Sequence, residues 1–270
     1  MGVEKPDMSP CRERTGRRSR LAEVGADPLA PLMELPGVEA AVRRVRDAVS
    51  AVHRLPVNRN RWPVTAAEAS VRAARASAAL DGGPTTWPSD GSVHDPVLAG
   101  ALRVAQALGG LLSTWQRAPL QALARLHVLA AADLSAEPEL GRPDASPSIT
   151  ARLDGLAHLV AGGTRTAAPV LVAVVHGELL ALTPFARANG VVARAAARLT
   201  IVSSGLDPKG LVVPEVAHLR REREYRAAAA GFAGGGAQPV GEWILHCCAA
   251  LTAGAREATS IARSATESNK

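Results

Sequence analysis

Two apolar stretches joined by a short polar loop constrain this chain more than any other feature. Pro169 to Leu182 is apolar almost throughout, and a proline at its start suits the first turn of a helix buried on all sides. Pro184 is expected to end that helix. Val191 to Ile201 is a second apolar helix, closed by Ser203, Ser204 and Gly205. Between them Asn189-Gly190 supplies a tight turn whose backbone N–H groups would face outward at a helix start. That geometry favours anions, phosphates included. A plain helix-connecting turn fits the same two residues.

Composition fixes the class around this pair. The 270 residues suffice for a sizeable core, and 47% hydrophobic content makes the chain globular. With only 3% aromatic residues, the alanine-rich remainder favours helices over strands, so an all-α fold is expected. The formal net charge of +6 admits anionic partners without choosing one. Its one compact basic run, Arg12 to Arg20, falls in a tail of residues 1–32 that is expected to be disordered, and a solvated tail is a better reading than a nucleic-acid arm. Three cysteines build no disulfide framework and point to a reducing, cytoplasmic location. Cys247 and Cys248 read as buried apolar side chains, and His246 beside them does not complete a metal site, because consecutive helix positions face different ways. Pro169 to Leu182 is too short and too interrupted by His176 and Glu178 to span a bilayer, so no membrane role is expected.

Along the chain, packing is expected from about Leu35, with a surface helix over Val38 to Leu55 and a loop from Pro56 to Pro63 in which Trp62 serves as a packing anchor. Thr65-Ala66-Ala67-Glu68 is a capping-box pattern that opens a helix over 66–81, ended by Asp81-Gly82-Gly83. Asp95-Pro96 starts a helix to Gln116, and Pro119 starts another in which His127 reads as structural. Ser135 to Ser148 is irregular, and Thr150 to Ala161 is a short helix. Leu206 to Gly210 is a turn, Pro214 to Tyr225 a charged helix, Gly231 to Gly236 a flexible loop, and Pro239 opens the last long helix, which frays over 265–270.

The central segment Thr183 to Arg194 resembles the H-P-F-x-(D/E)-G-N-G-R-x-x-R motif of Fic (Fido-fold) proteins. Pro184, Phe185, Asn189, Gly190 and Arg194 match it, whereas Thr183, Arg187, Ala188 and Val191 depart from it. The turn after Ser204, the tyrosine-bearing charged helix and a closing helix ending Ala255-Arg256-Glu257 are also similar, so the resemblance covers residues 64 to 260. It implies an N-terminal helical part over 33–118 and a Fic-like core over 119–264. The hairpin flap of the family would fall between Ser135 and Ser148, where Pro143 and Pro147 leave it reduced or absent.

In that family the motif histidine takes a proton from a target hydroxyl, the acidic residue holds magnesium, and the loop and arginines cradle nucleotide phosphates. Thr183 cannot act as that base near neutral pH. Arg187 places a fixed positive charge where the metal would sit, so neither a catalytic residue nor a metal is expected. The resemblance leaves Arg187, Asn189, Gly190 and Arg194 as candidates to bind a nucleotide such as ATP or another anion, with a solvated Arg187 the plainer reading. Ser77-x-x-x-Asp81-Gly82 is similar to the inhibitory motif (S/T)-x-x-x-E-(G/N) of the family, although an Asp-Gly helix cap accounts for it equally well. The resemblance therefore implies a salt bridge between Asp81 and Arg194. His176 lies two helical turns before Thr183, too far along the axis to replace the missing base. The expected function is a degenerate Fic-like pseudoenzyme acting as a regulatory module that binds a nucleotide, an anion or a protein target. The alternative is an adenylyltransferase with a rearranged site.

Overall fold

The structure of the protein, a computed structural model, describes residues 1–2, 27–86 and 91–267. The basic run Arg12 to Arg20, Cys11, Trp87 and Pro88 lie outside the described residues. The chain runs through α1 (Val38–Arg54), α2 (Pro56–Asn60), α3 (Trp62–Leu80), α4 (Pro96–Arg117), α5 (Pro119–Ala131) and α6 (Pro147–His158). It continues through α7 (Ala168–Leu182), α8 (Asn189–Ser203), α9 (Pro214–Arg220), α10 (Glu222–Gly234) and α11 (Ala237–Glu267). Among the described residues there is no strand, so the fold is all-α and the flap region carries only a short turn at Glu137–Glu139.

The apolar pair of the sequence becomes α7 and α8, packed side by side at the centre. Val191 to Ile201 is buried without interruption, including two arginines, as expected for a helix covered on every face. One hydrophobic cluster joins the pair to α1 and α11 through Val42, Val45, Trp243 and Leu251, and a second joins it to α4 and α5 through Leu98, Trp115, Leu123 and Leu126. Each such side chain contributes about 1.5–3 kcal/mol through burial. The two buried indoles also find polar partners, since Trp243 Nε1 donates to the Ala173 carbonyl at 2.8 Å and Trp115 Nε1 to Thr200 Oγ1 at 3.2 Å. The helix α4 is long and apolar enough to cross a membrane, yet here it packs against α3, α5 and α8. The expected boundary at residue 118 thus runs between helices that share one core.

Several local expectations are corrected. Packing is present already at Asp27, ahead of Leu35, because the Asp27 carboxylate accepts from Thr164 Oγ1, Leu29 N–H and Arg165 N–H. Residues 27–32 therefore do not share the disorder expected of the tail. The stretch Pro56–Asn60 is a short helix, and α3 begins at Trp62 instead of residue 66. Thr65 accordingly caps nothing: its hydroxyl donates to Asn58 Oδ1, and it is Asn58, fully buried, that anchors the packing here while Trp62 is 39% exposed. Pro147 starts α6 three residues early. The charged helix breaks at Arg221 into α9 and α10, and α10 continues to Gly234, so the glycine cluster is mostly helical.

The turn after α8 holds a group that its residues do not advertise. Asp207 is fully buried; Oδ2 accepts from Val212 N–H at 2.7 Å and Oδ1 meets His53 Nε2 at 2.8 Å. Replacing it with alanine strands a buried N–H and an imidazole. An Asp207→Ala variant is expected to lose about 2–4 kcal/mol in chemical denaturation, with Asp207→Asn losing less. A loss of under about 0.5 kcal/mol would place the carboxylate in water.

Candidate functional site

The loop between α7 and α8 is held by two residues in the left-handed region, Thr183 at φ 41° and Ala188 at φ 57°. Among the described residues these are the only non-glycine positions with positive φ. For a β-branched residue this conformation is an outlier, and together they cost a few kcal/mol, about 1–2 kcal/mol each. The turn expected at Asn189-Gly190 thus lies one residue earlier, at Ala188, and Asn189 already stands in the first turn of α8. Its side chain closes the loop: Oδ1 accepts from Phe185 N–H at 2.9 Å and Nδ2 donates to the Phe185 carbonyl at 2.6 Å. Both ends of the Asn189 amide are therefore engaged within the loop. Arg187 is exposed, and Thr183 is exposed at the end of α7.

Behind the loop, α8 and the end of α3 meet. Arg194 is 3% exposed, yet every nitrogen of its guanidinium makes a hydrogen bond. Nη2 donates to the Asp81 carboxylate at 2.8 Å and to the Ser77 carbonyl at 2.9 Å, Nε donates to Ser77 Oγ at 2.8 Å, and Nη1 to the Tyr225 oxygen at 3.3 Å. The second Asp81 oxygen accepts from Val191 N–H in the first turn of α8 at 2.9 Å. The carboxylate therefore occupies the place where a helix N-terminus and a guanidinium would together hold an anion. Gly190 makes room for it, because a Cβ there would lie 2.3 Å from Asp81 Oδ1. Gly82 follows at φ 89° and turns the chain away from α3. Arg226 on α10 donates to the Leu80 carbonyl at 2.6 Å and fixes the same helix end.

Tyr225, the chain's single tyrosine, carries this network inward. Arginine only donates, so the Tyr225 oxygen accepts from it, and the phenol proton is left for His176 Nε2 at 2.8 Å, the assignment that satisfies all three groups. His176 is thus a packing histidine, buried against Trp243 and His218, and His218 Nδ1 meets His246 Nε2 at 3.1 Å. Burial first, and then Arg194 and the neighbouring imidazoles, hold His176 and His218 well below the ordinary histidine range. The unfolded chain takes up protons on these rings below about pH 6.5 while the folded chain does not. Their stabilising share is therefore complete above about pH 6.5 and falls with pH below it, by up to about 1.4 kcal/mol per pH unit for each ring. Unfolding free energies compared at about pH 7.5 and about pH 5 should show the fall; equal values would mean the rings take up protons in place.

The flap region runs beside the loop without forming a hairpin. Asp144 N–H donates to the Pro184 carbonyl at 2.8 Å, and Gly141 N–H donates to His127 Nδ1 at 2.9 Å. His127 stacks on Phe185 with ring centroids 4.1 Å apart and planes 6° from parallel. It is fully buried under the loop, and burial lowers its pKa against the opposing pull of the Arg187 backbone, which Nε2 faces without a hydrogen bond of good geometry. The acids nearby do not form a metal set. Glu178 is paired with Arg152 at 2.7 Å, Asp144 Oδ1 accepts from Ser146 N–H, and Arg187 holds the position where the Fic motif has its acidic residue. A magnesium ion with oxygen ligands does not fit these residues.

No protein-family model matches the sequence, and no curated protein matches it. Solved structures do. A Fic family protein from Desulfovibrio desulfuricans G20 superposes with a TM-score of 0.66 at 19% identity, over 83% of this chain and 74% of that one. A fragment of Fic-1 from C. elegans superposes with a TM-score of 0.67 at 16% identity, over 89% of this chain and 76% of that one. The chain has the all-α Fido fold of Fic proteins.

Proposed function

We propose that the protein is a Fic-like regulatory module that has lost group transfer and retains an anion cradle, opened and closed by its own Asp81. The observation that carries this reading is the Asp81 carboxylate seated between Val191 N–H and Arg194. Transfer of AMP to a protein hydroxyl would form a bond to the α-phosphorus, release pyrophosphate and hand the hydroxyl proton to a base. Thr183 supplies no such base. His127 is stacked on Phe185 and buried away from solvent. What remains is recognition, and its ligand is a nucleotide phosphate or an acidic group of a partner protein that displaces Asp81.

The strained backbone at Thr183 and Ala188 favours a second reading, an adenylyltransferase with a rearranged site, since such strain persists mostly where a loop has work to do. Incubation with labelled ATP, magnesium or manganese and cell lysate separates the two. The regulatory reading expects no label on any protein, together with nucleotide binding by calorimetry once Asp81 is removed. Labelled protein that disappears with Asn189→Ala overturns it in favour of the enzyme.

A further inference from the structure

A cavity of about 240 Å³ opens where the start of α3, the middle of α4, the end of α8 and the Pro208–Gly210 turn converge. Its α3 residues, Trp62 to Ser70, lie about 16–28 Å from Asp81 along the helix at 1.5 Å per residue. Its walls are apolar: Trp62, Leu108, Leu112 and Val202. Among the described residues no carboxylate lines it. Arg198 borders it, but that guanidinium is held by the Val212 and Gly210 carbonyls and by Glu215. The available cation is Lys209, whose ammonium is anchored by one donor to the Asn58 carbonyl at 2.8 Å and keeps two others.

A second feature sits at the exposed rim of the cavity. Gly109 lies inside α4 beside Gly110, where each glycine costs about 1 kcal/mol relative to alanine. Gly100 in the same helix has a reason, because a Cβ there would come within 2.1 Å of the Ala130 carbonyl. Gly109, exposed like Gly110 beside it, has none within the fold: a Cβ would meet nothing within 4 Å, and its φ is not positive. Of the two, Gly109 borders the cavity, so its missing side chain leaves the mouth open. The exposed Trp62 indole opposite is likewise unexplained by packing, being 39% accessible on a helix that buries its small residues.

We propose that this cavity binds a small amphipathic monoanion, an aromatic or acyl carboxylate whose apolar body lies against Trp62 and the leucines and whose charge meets Lys209. Positive charge without a counter-acid selects an anion, and largely apolar walls select an apolar body. The volume lies below the usual range of about 300–1,000 Å³ for ligand pockets and so admits one ring system or a short chain, not a nucleotide.

Titration calorimetry with 2-naphthaleneacetate and with octanoate tests the proposal, with 2-naphthaleneacetamide as the uncharged counterpart. The expected result is saturable one-to-one binding of at least one carboxylate, about tenfold weaker or worse for the amide and for Lys209→Met, as loss of a charge-assisted contact requires. Gly109→Leu puts a side chain across the mouth of the cavity and improves helix propensity, so it should weaken binding about tenfold or more while holding or raising Tm, which separates lost binding from lost folding. No saturable binding of either carboxylate at millimolar concentration overturns the proposal. So does binding that Gly109→Leu leaves intact, and so does amide binding as tight as that of the acid, which would instead suit an apolar side chain of a partner protein.

Discussion

Arg194→Ala is expected to lower the unfolding free energy by about 3–5 kcal/mol, the range for deleting one member of a buried charged network. The guanidinium is 3% exposed and satisfies four acceptors at once: the Ser77 hydroxyl and carbonyl, the Asp81 carboxylate and the Tyr225 phenol. Without it the Ser77 carbonyl and Tyr225 lose a donor in a place that water reaches poorly, and α3 loses its polar attachment to α8. Arg194→Lys keeps the charge but offers no planar fork, so it should recover only part of the loss. Urea denaturation read by circular dichroism gives the numbers. A cost below about 1 kcal/mol for Arg194→Ala would mean that the network is solvated and that α3 is held by its alanines alone.

That network was legible in the sequence only because two distant motifs were read together. Ser77 and Asp81 stand four apart on α3 and so face one side of it, and Arg194 stands on the first turns of α8. Neither end says anything about the other by periodicity. The resemblance of both to Fic motifs paired them, and the structure places them 2.8 Å apart. Asn189, a nucleotide-binding candidate by the same resemblance, turns its side-chain amide back to Phe185.

What escaped the sequence depends on partners far away along the chain. Asp207 looks like an ordinary turn acid, yet it is buried because His53 arrives from a helix 154 residues earlier. The Tyr225, His176, His218 and His246 contacts join α7, α9, α10 and α11, so none of these residues shows a local pattern. The short helix at Pro56–Asn60 was hidden for the opposite reason. Proline and two asparagines are ordinary loop residues, and only the burial of Asn58, through its bonds to the Val52 carbonyl and Thr65, turns them into a helix. By contrast α7 and α8 were plain from composition alone, since no solvent-facing polar stripe interrupts them.

Asp81→Ala is expected to cost less than the arginine substitution and to gain a ligand. Arg194 keeps Ser77 and Tyr225 when the carboxylate leaves, and Asp81 is 23% exposed on its side chain, so the loss should be about 1–3 kcal/mol. In exchange the cradle is vacated: Val191 N–H at the start of α8 and one Arg194 N–H lose their anion together. An external anion then restores what Asp81 supplied. At a free concentration about a hundred times its Kd, a ligand that binds only the folded state returns about 2.7 kcal/mol, enough to erase the cost of the substitution. Thermal unfolding with ATP, inorganic phosphate or chloride at matched ionic strength makes the comparison. The variant's Tm should rise with ATP and phosphate and stay flat with chloride, while the wild-type chain, whose cradle is full, should respond far less. Asp81→Asn should fall between them, because its amide oxygen still accepts from Val191 N–H but carries no charge for Arg194. Equal responses to phosphate in the wild-type and Asp81→Ala proteins would show that Asp81 does not close an anion site, and the cradle would then be a helix junction and nothing more.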